Sequence, residues 1–202
     1  MIYSPLEQFN IITLIPLHSG NVYYSFTNSS LYMLLVVGLV LSLFQMVTAE
    51  GGRIVPSRWQ SVVEMIYTFV CDLVEGQVGK AGRAYFPFIF TVFSFILFSN
   101  LIGMVPYSFT VTSHFVVTFG LSISLFIGLT LIGIYTHGLH FLSFFWPSGA
   151  PIAMAPLLVV LEIVSYCFRP LSLGVRLFAN MMAGHTLVKI LSGFSWTMLG
   201  VG

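Results

Sequence analysis

Charge is what this sequence has least of. Of its 202 residues, 6% are Asp, Glu, Lys or Arg and 57% are hydrophobic, where an ordinary soluble domain carries roughly 25% charged residues. Mean hydropathy is +0.99. Between Arg83 and Glu162 no Asp, Glu, Lys or Arg occurs at all, and no water-facing surface could be built from such a stretch. The chain is made for lipid. Basic blocks are also missing: net charge is +1, with no aromatic-basic interleaving, which excludes a nucleic-acid partner. The two cysteines, Cys71 and Cys167, lie far apart in apolar segments and form neither a disulfide framework nor a metal spacing. The single aspartate, Asp72, leaves no Ser-His-Asp set. Gly79-Lys80 has the look of a P-loop end, but Val74 stands where the first Gly is needed and Ala81 where Ser or Thr is needed. The chain therefore has no nucleotide site of its own, and no cofactor or metal is expected. The N-terminus lacks a positive n-region and a small-residue cleavage site, so no removable signal or transit peptide is expected.

What the sequence has is long apolar runs, since about 20 such residues cross a hydrocarbon core of roughly 30 Å. A first span is expected over about 26–47. Residues 84–105 and 115–136 make two further spans, joined by the polar turn PYSFTVTSH into a helical hairpin. Leu139–Trp146 is apolar but too short to cross. From Gln60 to Gln77 the period is helical: Ser61, Glu64, Thr68, Asp72 and Glu75 share one face, while Val62, Val63, Ile66, Phe69, Val70, Leu73 and Val74 share another. That pattern predicts an interfacial helix over about 58–78. Arg53, Arg58, Lys80 and Arg83 fall between the first two spans and residues 1–30 contain neither Lys nor Arg, which places the N-terminus outside.

The last apolar region, 153–202, carries charge in its interior. On a helix, Glu162, Arg169 and Arg176 are spaced by sevens, each about 10.5 Å from the next and drifting only about 20° around the axis. Ser172 and Asn180 flank Arg176 at four residues either side, with Ala179 and Ala183 nearby, a small-residue face that lets another helix come close. Pro170 blurs this geometry around Arg169. A mid-bilayer guanidinium costs about 2.5–3.5 kcal/mol on insertion scales, and Arg176 has no acid three or four residues away. Either it snorkels or pairs with Glu162 through a helix bend, or its carboxylate partner belongs to another polypeptide. Glu162 is a structural partner of Arg169 or a proton site in a wet cavity. His185, half a turn around the helix from Arg176, suits a proton relay or an ordinary hydrogen bond. Lys189 is read as interfacial. His137 and His140 form an H-x-x-H pair without further metal ligands.

LSLGVRLFANMMAGH, Leu171–His185, closely resembles the signature of subunit a of the F-type ATP synthase. The resemblance extends through LEIVSYCFRP, SNLIGMVPYSFTVTSH and SPLEQF, spanning nearly the whole chain. Its wording is most similar to the mitochondrially encoded form of plants and their algal relatives, and His185 fits, since many bacterial relatives carry Glu there. The resemblance implies that Arg176 is the essential charge facing the carboxylates of the c-subunit ring. It implies that Glu162 belongs to the half-channel on the matrix side and His185 to the one on the intermembrane-space side, with Asn180 a polar neighbour of the ring contact. By residue pattern alone, 153–202 divides into two short perpendicular spans; the family instead implies one long tilted helix. It also implies a second tilted helix, bearing the acidic partner of His185, which is not among residues 1–202.

The sequence thus predicts an all-α polytopic membrane protein, a stator subunit that passes protons through two half-channels without an active site of its own. Its expected partners are the c-ring, peripheral-stalk and other membrane subunits, the lipid bilayer and protons. The expected location is the mitochondrial inner membrane with the N-terminus toward the intermembrane space, or alternatively a bacterial plasma membrane. Two rivals stand: a transporter or channel binding an anionic substrate at Arg176, and a structural fragment subunit.

Overall fold

The computed structural model describes residues 6–19, 22–23, 25–49, 51, 54–105, 108–138, 141 and 154–201. Leu139–Trp146 with His140, apart from Phe141, and the Pro106-Tyr107 pair of the expected polar turn lie outside the described residues. The chain divides into two compact units, Met1–Val111 and Thr112–Gly202.

The first unit opens on a small β-ribbon that the residue pattern did not predict. Strand β1 (Thr13–Ile15) pairs antiparallel with β4 (Phe26–Thr27), and β2 (His18–Ser19) pairs with β3 (Val22–Tyr23) between them. Helix α1 (Asn28–Ala49) follows directly, so the first two residues of the expected span are strand. Asn28 fixes the junction: its Oδ1 accepts from the N–H of Ser29 at 2.9 Å, and Ser30 Oγ donates to the Thr27 carbonyl at 2.7 Å.

Helix α2 (Arg58–Val78) begins where Ser57 accepts from the Gln60 N–H. It ends at Gly79, whose φ of +79° favours glycine. Helix α3 (Phe86–Gly103) has Pro87 in its first turn, where a missing N–H costs nothing. The ring of Phe44 on α1 packs on Phe90 of α3 at 5.5 Å, and Tyr67 of α2 lies edge-on to Phe86 at 4.8 Å.

The apolar face expected of α2 divides in two. Val70 and Val74 are buried and Val63 and Ile66 half-buried, but Val62, Phe69 and Leu73 are exposed. The protein-facing stripe swings instead toward the polar side, where Gln60 is buried and donates to Glu64 Oε1 at 2.8 Å. There Arg83 clasps Glu75 through Nε at 2.6 Å and Nη2 at 2.5 Å. α2 therefore has three sectors, one against α1 and α3, one polar, and one apolar and unpacked.

The second unit is a pair of helices, α4 (Phe115–His137) and α5 (Ala155–Val201). α5 runs 47 residues without interruption. This corrects the two-span division that the residue pattern suggests for 153–202. Pro170 has no N–H to offer the Tyr166 carbonyl, yet it sits buried in the seam with α4, and membrane helices carry prolines where a neighbour supplies polar groups. Here Ser122 Oγ of α4 donates to the Pro170 carbonyl at 2.5 Å.

Candidate functional site

The seam between α4 and α5 decides which way the charged stripe looks. Phe115 meets Phe178 edge-on at 5.8 Å, Ser122 bonds Pro170, and Phe126 packs on Tyr166 at 4.9 Å. Ascending numbers on α4 meet descending numbers on α5, so the pair is antiparallel. Gly174 marks the closest approach: a Cβ there would stand 3.2 Å from the Phe119 Cα. Thr130 Oγ1 and the Tyr166 hydroxyl lie 3.0 Å apart, holding the other end. On α5 the contacts come from Tyr166, Pro170, Gly174 and Phe178, each four residues after the last, which is one helical stripe.

The charged stripe lies about 120° around the axis from that contact stripe, at 100° per residue. Glu162, Arg169, Ser172, Arg176 and Asn180 are all exposed. Thus α5 is clamped by one face and presents another, with Arg176 at its centre. His185 and Lys189 are half-buried and continue the contact side, so Arg176 and His185 point to opposite surroundings, about 180° apart. Among the described residues no carboxylate lies within ion-pair distance of Arg176, and Glu162 pairs with neither arginine. Arg169 instead places its guanidinium carbon 5.5 Å from the centre of the Tyr166 ring, a cation-π contact. His137 closes α4, while its H-x-x-H partner His140 lies outside the described residues. Among the described residues no three His, Cys, Asp or Glu side chains cluster as a metal site would require.

Length sets depth. At 1.5 Å per residue the 47 residues of α5 run about 70 Å, more than twice a hydrocarbon core of about 30 Å. Immersing all of it requires a tilt of about 65° from the membrane normal, beyond the usual range of about 0–40°. The midpoint of Ala155–Val201 is residue 178. Were the described helix centred on the midplane, Arg176 would lie near mid-depth at any tilt.

Sequence reasoning missed the groups that orient this helix: Ser122, Thr130 and Tyr166. A signal was present, because Thr118, Ser122 and Thr130 recur at multiples of four on α4, the polar and small stripe that membrane helices pack through.

Among the described residues four helices are long and apolar enough to cross a membrane: Asn28–Ala49, Gly82–Gly103, Phe115–His137 and Pro156–Gly200. With the uncharged middle of the chain, they define an all-α polytopic membrane protein. Residues 30–202 match the family described as ATP synthase A chain, and the chain belongs to that family. It is 64% identical to ATP synthase subunit a of Marchantia polymorpha over 205 aligned residues, covering 100% of this chain and 81% of that one. It is 61% identical to ATP synthase subunit a of Oenothera berteroana, covering 98% of this chain and 72% of that one. Against ATP synthase subunit a-2 of Arabidopsis thaliana the identity is 60%, covering 97% of this chain and 58% of the relative.

Proposed function

We propose that this chain is the proton-conducting stator subunit of a rotary ATP synthase in the mitochondrial inner membrane, and that Arg176 is its fixed charge toward the c-ring. The observation that carries the reading is the placement of Arg176: exposed, near the centre of a 47-residue apolar helix, on a face that α4 leaves open, with no acid beside it among the described residues. A carboxylate brought to it by another polypeptide would offset the cost of a charge so placed.

The chemistry follows from the charge. A ring carboxylate opposite Arg176 is held ionised, so it gives up its proton on one side and takes another only after moving past. The same charge repels a proton crossing directly. Glu162 serves the matrix-side half-channel and His185 the intermembrane-space side, with Ser172 and Asn180 polar neighbours of the arginine. Support comes from depth: at a tilt of about 65°, Glu162 stands about 10 Å to one side of the midplane and His185 about 4 Å to the other. Each proton that crosses releases about 2.3 kcal/mol per 100 mV, so several steps are needed for one ATP. Arg169, stacked on Tyr166, and Lys189 are structural or interfacial charges. The N-terminus faces the intermembrane space, and peripheral-stalk subunits complete the assembly.

The transporter reading calls for discontinuous helices around a midplane site, whereas α5 is one unbroken helix from Ala155 to Val201. The deciding experiment uses the whole complex in vesicles, comparing the wild type with Arg176→Ala that assembles normally. Proton-driven ATP synthesis is expected to vanish. Unchanged synthesis would overturn the reading, and a change confined to the affinity for an anion would favour the transporter.

A further inference from the structure

The ribbon ahead of α1 has no place in the proton pathway, and its surface is unusual. Ile11, Ile12, Leu14, Ile15 and Leu17 are all between 48% and 62% exposed. From Gln8 to Ala49 there is no Asp, Glu, Lys or Arg. An exposed aliphatic cluster of this kind marks a contact with lipid or protein.

Its height is fixed by hydrogen bonds to the first residue of a spanning helix. The N–H of Asn28 donates to the Ile12 carbonyl at 3.1 Å, its Nδ2 donates to the Asn10 carbonyl at 3.1 Å, and its Oδ1 accepts from the Ile12 N–H at 3.3 Å. The aliphatic residues are thereby held at the start of α1, on which Leu34 and Leu41 are also exposed. Depth is bounded from below as well. Among the described residues β1 pairs on one side only, with β4, and an open strand edge is not tolerated in the hydrocarbon, where its N–H and C=O groups find no partner.

We propose that residues 11–17 form a lipid-binding surface that seats their aliphatic side chains at the headgroup–acyl boundary of the leaflet where α1 begins. The side chains reach the upper acyl region while the strand edge stays among headgroups and water. No charge has to be desolvated, and α1 and the ribbon meet the same leaflet as one surface.

The test uses the intact complex in phosphatidylcholine vesicles carrying a photoactivatable diazirine on the lipid, either near the acyl carbonyl or at mid-chain. Labelling is read by mass spectrometry on peptides covering 6–17 and 31–41. The ribbon peptide is expected to be labelled several-fold more by the shallow probe than by the deep one, with the reverse on α1. Asn28→Ala, which removes two of the three bonds, is expected to lower shallow labelling of the ribbon and leave α1 unchanged. An unlabelled ribbon beside a labelled α1 overturns the proposal, as does a ribbon labelled more by the deep probe than by the shallow one.

Discussion

Gly174 separates the packing of the α4–α5 seam from the intrinsic preferences of the helix. Replacing Gly by Ala inside a helix gains up to about 1 kcal/mol wherever the methyl has room. At Gly120 and Gly184 nothing lies within 4 Å of the new Cβ, so both substitutions are expected to stabilise. At Gly174 the methyl meets the Phe119 Cα at 3.2 Å and the Ser122 Cβ at 3.4 Å. The first of these is backbone and cannot swing aside. Overpacking of this kind costs about 1–3 kcal/mol, which outweighs the helix gain. Gly174→Ala is thus expected to fall about 1–3 kcal/mol below Gly184→Ala, and Gly174→Leu further still. SDS-induced unfolding of the purified chain in mixed micelles, followed by circular dichroism, measures the difference. Equal stabilisation by all three alanines would refute the close approach and with it the orientation of the charged stripe.

Three further outcomes follow from the same geometry. Ser122→Ala removes the buried bond to the Pro170 carbonyl and is expected to cost about 0.5–1.5 kcal/mol in the same unfolding assay, non-additively with Gly174→Leu because the two share one contact. Thr130→Val and Tyr166→Phe break one hydroxyl pair; a double-mutant cycle is expected to return a coupling of about 0.6 kcal/mol, the usual size in membranes. His114, just ahead of α4, has its pKa lowered by burial, so the folded chain holds it neutral and the unfolded chain binds more protons below about 6.5. Its stabilising effect is present above that pH and is lost as pH falls, a slope that unfolding measured from pH 7 downward should show and that His114→Asn should flatten.

The helices were legible wherever one local signal was strong. α2 spans Arg58–Val78 where the period of 60–77 indicates a helix, and the structure adds what bounds it, the Ser57 cap and the positive-φ Gly79. The two-sector apolar face of α2 was not legible, since whether Val62 and Leu73 meet protein or lipid depends on where α1 and α3 lie. The ribbon was missed for a different reason. Its strands have two or three residues each, too short for a period, although the Gly20-Asn21 pair between them is a hairpin dipeptide. The two-span division failed because Pro170 does not end the helix, and nothing local in the sequence shows that Ser122, 48 positions away, packs against it. For the site, spacing placed Glu162, Arg169 and Arg176 on one stripe. It could not say that the stripe faces away from α4, which depends on Phe119 meeting Gly174.

The seam also gives α5 the mechanics of a beam gripped along one stretch. Its named contacts with α4 run from Tyr166 to Phe178. A gripped beam deflects least beside its support and more with distance from it. Arg176 sits two residues inside the last of those contacts, so lateral forces on distant parts of the helix displace the charge very little. The guanidinium keeps its position because of where the beam is gripped.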